Sequence, residues 1–191
     1  QKSSYTYTFP YDGTVIVHVV GAGGSGAVQQ SSFLCTGGGA GGYSRKQFSV
    51  TTSTSATVTS GVGGKSVGNE LSVSAGVAGT VSTFVLGSDT LTANGGAGGS
   101  QYPGPNVSAA GGTASGGDVN YQGGRSGKIY AQYNNAFRAC TGGGAVNLFG
   151  LSTDDVAGGD LTNASTLVGT GGGGTGGKGG DIGCSGPRRA S

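Results

Sequence analysis

The chain has 191 residues, of which 46 are glycine; charged residues make up 9% and the net charge is +2. That length is one domain's worth, the low charge removes the self-repulsion that holds a disordered polyelectrolyte open, and with only 4 prolines and no strict Gly-x-y period the chain is not collagen. So small and scattered a charge gives no field for nucleic acid or a membrane surface, Arg188 and Arg189 being a terminal pair, and no run of about 18 apolar residues is available to insert into a membrane.

Tyr5 to Phe9 (YTYTF) alternates aromatic and Thr, the period-2 pattern of a strand with one buried face. Pro10-Tyr11-Asp12-Gly13 has turn chemistry and predicts that this strand folds back as a hairpin onto Thr14 to Val20. Val15, Ile16, Val17, Val19 and Val20 form a near-continuous β-branched run, the mark of a central strand covered on both faces. The run stops in Gly21, Gly23, Gly24 and Gly26, and the same event recurs down the chain: a strand-like run, then a glycine block. The protein therefore reads as a small β framework from which glycine segments are hung.

The glycines after Val20 satisfy G-x-G-x-x-G, which in a dinucleotide site needs a helix directly after them and an acidic residue about 20 positions on. Ala27 to Cys35 is too short for that helix and Gly42 to Val50 holds no carboxylate, so nucleotide binding is rejected. Near misses to the P-loop fail too: Thr59 stands where the first glycine should precede Gly64-Lys65-Ser66, and Gly127-Lys128 is followed by Ile129.

Tyr43 to Val50 alternates imperfectly and predicts an outer strand with Tyr43, Arg45, Gln47 and Ser49 on one side and Ser44, Lys46, Phe48 and Val50 on the other. Further short strands are expected at Ala56 to Ser60, Leu71 to Ser74, Val81 to Leu86 and Thr90 to Ala93, and no window has helical periodicity of useful length. From Gly95 onward the glycine blocks 95–99, 111–117, 142–144 and 171–180 alternate with polar, aromatic-bearing inserts. Glycine segments can adopt a left-handed threefold extended helix with no internal hydrogen bonds. Several packed in parallel can exchange lateral N–H···O=C bonds where inward positions lack Cβ, the alternative being flexible linker. The expected class is all-β: short antiparallel strands plus packed polyglycine II helices, a glycine-rich sandwich with essentially no α-helix. A β-rich framework with the first glycine blocks occupies 1–94, and a glycine lattice with variable inserts occupies 95–191 of the same compact domain.

Cys35, Cys140 and Cys184 are odd in number, which argues against a disulfide framework. Cys35 and Cys140 each open the hexapeptide CTGGGA, at 35–40 and 140–145; equivalent buried thiols in two similar turns are expected, with a disulfide between them the alternative. Zinc needs close ligand pairs, and His18 is the chain's one histidine. His18, inside the Thr14 to Val20 strand, is expected as a buried, satisfied side chain rather than a general base. Asp154, Asp155 and Asp160 do not match a calcium loop. No cofactor, metal or catalytic constellation is expected. Asn106 and Asn163 head glycosylation sequons that matter only in a secreted eukaryotic product. The chain holds no Met, so Gln1 suits a processed or excised start.

The order YTYTFPYDGTVIVHVVGAGGSG, GGGAGGYSRKQFSV, ATVTSGVGG, AGTVSTFVLGSDTLTANGGAGG and GTGGGGTGGKGGDIG, spanning nearly the whole chain, resembles the glycine-rich domains of bacteriophage tail fibres and tail-tip adhesins, similar to those of T-even phages. The resemblance implies a polyglycine-helix core that presents variable loops to a bacterial outer-membrane protein or surface glycan. Residues 1–191 hold no stretch that resembles the N-terminal fibre-attachment region of the T-even adhesins, so the resemblance does not say how the domain is mounted. A similar glycine-helix architecture occurs in some receptor tyrosine kinase ectodomains, so the scaffold alone does not fix function.

The inserts at 100–110, 118–140 and 146–157 are the candidate recognition loops. They are rich in Tyr, Asn, Ser and Arg, residues that give large contact area at low entropy cost and adaptable hydrogen bonding. Tyr102, Asn106, Tyr121, Arg125, Tyr130, Tyr133 and Asn134 are the candidate receptor contacts, while Phe137 and Phe149 are expected to pack on the glycine scaffold. The expected function is a non-enzymatic receptor-binding module of a virion tail fibre, joined to the rest of the fibre or to identical subunits, without nucleic acid or membrane insertion. The alternative is a secreted extracellular structural protein or filament subunit; an enzyme such as a glycan depolymerase comes third, for lack of a close carboxylate pair.

Overall fold

Antiparallel strands and glycine segments alternate along the chain. The computed structural model describes residues 3–27, 35–65, 74–100, 107–128, 157–158, 161–163 and 182–183, and no helix occurs among them. One sheet has the order β1 (Ser3–Thr8), β4 (Ser55–Ser60), β5 (Ser82–Leu86), β6 (Asp89–Ala93), β7 (Ala114–Ser115); a second has β2 (Gly13–Val20), β3 (Tyr43–Val50), β8 (Val119–Tyr121). Both are antiparallel throughout, and β9 (Leu161–Asn163) and β10 (Ile182–Gly183) form a short parallel pair. Phe9, Val19, Phe48 and Val50 pack against Ala56, Phe84, Leu91 and Ala93 between the two sheets, with the Phe48 and Phe84 rings 5.5 Å apart. Across the same gap Lys46 Nζ meets Asp89 Oδ1 at 2.7 Å.

Several expectations are corrected by this topology. β1 does not form a hairpin with β2; it pairs with β4, Ser3 opposite Ser60 through Thr8 opposite Ser55. Pro10 to Gly13 instead carries the chain from one sheet to the other, and the β3–β4 connection crosses back beside it. The two crossings are tied together: the Phe9 and Thr54 backbones bond at 2.9 Å, Ser53 N–H donates to the Phe9 carbonyl, and Asp12 accepts from the Thr52 amide and hydroxyl. β2, expected to be central, is an edge strand. Its Val15, Val17 and Val19 turn toward the core, but Ile16 and Val20 on the other face are 57% and 45% exposed. β3, expected to be outer, is the middle strand, because Val119–Tyr121, read as insert, supplies its second neighbour. The two-sided split of β3 holds, with Phe48 and Val50 buried and Arg45, Gln47 and Ser49 exposed, although Tyr43 is buried as well. His18 is exposed, not buried, and its Nδ1 lies 2.7 Å from the Tyr43 hydroxyl.

Beyond the β2–β3, β4–β5 and β6–β7 pairs the chain runs on into pairs of hydrogen-bonded glycine segments. β2 and β3 continue as 21–27 and 36–42, where the amides of Gly21, Gly24 and Ala27 donate to the carbonyls of Gly42, Gly39 and Thr36. The 36–42 segment in turn donates through Thr36, Gly39 and Gly42 to Ser100, Ala97 and Asn94, and 94–100 donates through Asn94 and Ala97 to Thr113 and Ala110. Gly96 and Gly99 donate to Ala22 and Ser25, so 94–100 runs in the same direction as 21–27, whereas chain-neighbouring segments are antiparallel. These bonds measure 2.8–3.1 Å and fall at every third residue. The donors and acceptors lie in neighbouring segments, so the backbone groups of these glycine segments are satisfied laterally.

Glycine is dictated by space at the contacts. A Cβ on Gly21 would collide with the Asn94 carbonyl, on Gly24 with that of Ala97, on Gly38 with that of Gly24, and on Gly41 with that of Gly21. In 94–100, Gly95, Gly96, Gly98 and Gly99 all face neighbouring backbone this closely, and the side chains fall on the remaining third: Asn94, Ala97 and Ser100.

Candidate functional site

Each glycine segment has a strand end and a far end, and the far ends come together. Ala27 N–H donates to Thr36 O at 3.1 Å, Thr36 N–H to Ser100 O at 3.0 Å, and Ser100 N–H to Thr36 Oγ1 at 2.8 Å. Gly76 N–H donates to Gly99 O at 2.8 Å, which brings the 74–80 segment to the same level. Ser126, fully buried, bonds Ala109 twice, through its amide to the carbonyl and through Oγ from the Ala109 amide. These residues, which stand next to the stretches 28–34, 66–73, 101–106 and 129–156 in the chain, thus lie together at the end of the glycine lattice opposite the β-sandwich.

Of the sequence-predicted contacts, Tyr121 and Arg125 lie within the described residues. Tyr121 ends β8 and is half-buried, its ring stacked on Tyr43 at 6.2 Å between centroids, so it belongs to a sheet face and not to a loop tip. Arg125 lies in the glycine segment after β8, buried at 9% exposure; its Nη1 donates to Ser126 O and its own carbonyl accepts from Gly158 N–H, each at 2.9 Å. Tyr102, Asn106, Tyr130, Tyr133 and Asn134 lie outside the described residues, as do Phe137 and Phe149 and the glycines 142–144 and 171–180.

Cys35 corrects another expectation: it is disulfide-bonded, not a thiol. It sits beside buried Thr36 at the far end of its glycine segment; Cys140 and Cys184 lie outside the described residues.

The described carboxylates serve the scaffold. Asp12 is held below the usual carboxylate range by the Thr52 amide and then by the Thr52 hydroxyl. Asp89 accepts from Lys46, whose own pKa this bond raises, and Asp118 accepts from the Gln47 amide at 3.2 Å. Among the described residues no group of three or more His, Cys, Asp or Glu is placed to hold a metal ion.

A second exposed surface lies along the side of the sandwich. The five-stranded sheet extends past the three-stranded one, so Tyr5 and Tyr7, which share a face with core residues Val58 and Ala56, project beyond β2 and are 55% and 43% exposed. With Val17, Val19 and Phe84 they line an open groove of about 480 Å³ between two edge strands. The buried face that the aromatic alternation of YTYTF predicted is not found: β1 is exposed along its whole length, because the opposing sheet ends before covering its aromatic side.

A family model described as a glycine-rich domain matches residues 1–190. The chain belongs to the glycine-rich domain family. No curated protein matches it. Membership fits this glycine-rich domain's geometry, in which glycine is required wherever one backbone presses on the next.

Proposed function

We propose that this glycine-rich domain is the receptor-binding module of a phage tail fibre, non-enzymatic and carried on the virion. Its glycine segments are polyglycine II helices whose far ends display recognition loops to a bacterial outer-membrane protein or surface glycan. The observation that carries the reading is the gathering of the residues flanking four inserts at one end of a laterally hydrogen-bonded scaffold. Such a scaffold holds adaptable loops on a rigid base, which limits the entropy lost on binding. The sandwich, at the opposite end and with two edge strands that carry no Asp, Glu, Lys or Arg beside an apolar groove, suits attachment to the rest of the fibre or to identical subunits. The Cys35 disulfide suits an oxidising environment and fits both the virion and a secreted structural protein.

The test is adsorption of the labelled, purified domain to a panel of bacteria, with Tyr102→Ala, Tyr130→Ala and Tyr133→Ala compared to the parent. A binding hot spot contributes more than about 2 kcal/mol, roughly thirtyfold in affinity, so at least one variant should lose adsorption while its melting temperature holds. Three variants that bind like the parent would take the site away from these inserts. A parent that binds no cell but assembles into filaments would favour the structural protein.

A further inference from the structure

We propose that two copies of this chain associate by a lap joint at the open side of the sandwich. In it β1 of each copy lies in the groove of the other and adds as a strand to the free edge of β2. Among the described residues β1 ends the five-stranded sheet and β2 ends the three-stranded one. β2 approaches β5 and β6, so β4 and β1 extend past it and the side of the sandwich is a step. The aromatic face of β1 is its floor and the edge of β2 its wall. Three features make β1 of a second copy the strand that fills it.

The first is the free backbone. Phe9 stands in register with the β1–β4 ladder and its amide donates to the Thr54 carbonyl, so the alternation of an antiparallel strand directs Ser3, Tyr5 and Tyr7 to β4. The amides and carbonyls of Ser4, Thr6 and Thr8 therefore face outward. On β2 the Gly21 amide donates to Gly42 in register with the β2–β3 ladder, which leaves Thr14, Ile16, His18 and Val20 facing outward. The second is the side-chain face. Tyr5 and Tyr7 lie on the inward side of β1, as Val15, Val17 and Val19 do on β2. Residues opposite one another in a ladder share a face, so bonding Thr6 to an even-numbered residue of β2 also sets the tyrosines opposite the valines. Had the outward groups of β2 fallen on its odd-numbered residues, the two demands would conflict.

The third is direction. Ser60 and Val20 both lead into the glycine lattice, so β4 and β2 run toward it and β1, antiparallel to β4, runs away from it. A two-fold axis along the strands keeps that direction and exchanges the two sheets, so the incoming β1 is antiparallel to β2, as the bonding requires. The same rotation sets the tyrosine face of one β1 on that of the other. Neither edge strand carries Asp, Glu, Lys, Arg or Pro, and their ladders to β4 and β3 have no bulge, so none of the usual barriers to strand addition stands in the way.

Sedimentation velocity of the purified protein from about 1 to 100 µM reads the association, and a dimer is expected. Thr6→Pro and Ile16→Pro each remove one outward amide, from β1 and from β2, and spare the bonds to β4 and β3. Each should weaken the dimer at least about tenfold with the far-UV circular dichroism unchanged. If either variant fails to fold, Tyr5→Lys replaces the first and Val20→Pro the second, at side chains 55% and 45% exposed. A parent that is monomeric throughout the range overturns the joint, whatever else binds the groove. A dimer weakened by the β1 variant alone is β1 paired with β1, and a dimer indifferent to both lies on another surface; either overturns it. The rotation also leaves both lattices pointing the same way, so the dimer is bivalent. That consequence alone rests on the receptor-binding reading: if the reading holds, both variants should adsorb to cells at least about tenfold more weakly through lost avidity. The sedimentation result stands whether or not any cell is bound.

Discussion

Glycine is required here for two different reasons, and single residues separate them. At Gly41 the obstacle is space: a Cβ would collide with the Gly21 carbonyl, and the backbone of one segment would have to move. At Gly87 it is conformation. That residue opens the β5–β6 turn at φ 59°, Ser88 has no positive φ, and the turn is type II′ with glycine at its first central position, yet a Cβ there meets nothing within 4 Å. Gly63 has neither constraint, its nearest neighbour being the Gly23 carbonyl at 3.8 Å. Overpacking costs about 1–3 kcal/mol or more, and at this chain length each kcal/mol moves the melting temperature by roughly 2–4 °C. Gly41→Ala should therefore melt on the order of 5–10 °C lower or fail to fold, while Gly63→Ala should stay within about 2 °C. Gly87→Ala should also melt lower although its Cβ would meet nothing, because φ 59° is a conformation that L side chains rarely adopt. Equal melting temperatures for Gly41→Ala and Gly63→Ala would make the glycine segments linkers. The abundance of glycine was legible in the sequence, but which third of each segment tolerates a side chain was not, because that depends on which neighbour lies opposite.

Local chemistry was read correctly more often than partnership. Pro10-Tyr11-Asp12-Gly13 does reverse the chain's surroundings, but the residues that make a tight turn within one sheet also suit a crossing between two, and only the pairing of β1 with β4 decides. The same limit hid the places of β2 and β3: β-branched content shows that Thr14 to Val20 is a strand, whereas its position at the edge follows from a three-residue partner, β8, that no periodicity announces. Asp12 is where the crossing is fastened, and its pKa is lowered by the Thr52 backbone and side-chain bonds. A carboxylate whose folded pKa lies below its unfolded value stabilises fully above the unfolded value and ceases to do so as pH falls through the folded one. The Asp12 contribution should therefore be constant from neutral pH down to about 4 and disappear below it, given an ordinary value of 3.8. Melting temperature followed from pH 7 to 2 should fall less steeply below pH 4 in Asp12→Asn than in the parent; parallel acid limbs would show that the bonds to Thr52 add nothing. Lys46, raised by its bond to Asp89, has the opposite sense, its contribution being lost only at pH above 10.5, so it does not enter the acid limb.

At the scale of the whole molecule, the strand-then-glycine rhythm was visible in the sequence, but the common end of the glycine segments was not, because it depends on the registers that place Ala27, Thr36 and Ser100 together. That rhythm has an energetic consequence. Among the described residues the sandwich core is a cluster of eight buried side chains, two of them alanine, and one side stays open at Tyr5 and Tyr7. The lattice buries few side chains, and ordering glycine is entropically costly, so its stability rests on lateral backbone bonds. Neither part is equipped to persist alone, and each pairs the same runs of chain: Val20 opposite Tyr43 in the sheet is followed directly by Gly21 bonded to Gly42, and Ala93 opposite Ala114 by Asn94 bonded to Thr113. Loss of register in one part therefore removes it in the other. Native-state hydrogen exchange reads this coupling, since amides in one cooperative unit exchange with a common opening free energy. The amides of Gly24, Gly39, Gly42 and Ala97 should exchange with the same free energy and denaturant dependence as those of β5, as expected if both open only by global unfolding. Glycine amides that exchange well below the strand values, with a shallow denaturant slope, would show instead that the lattice melts off a separately stable sandwich.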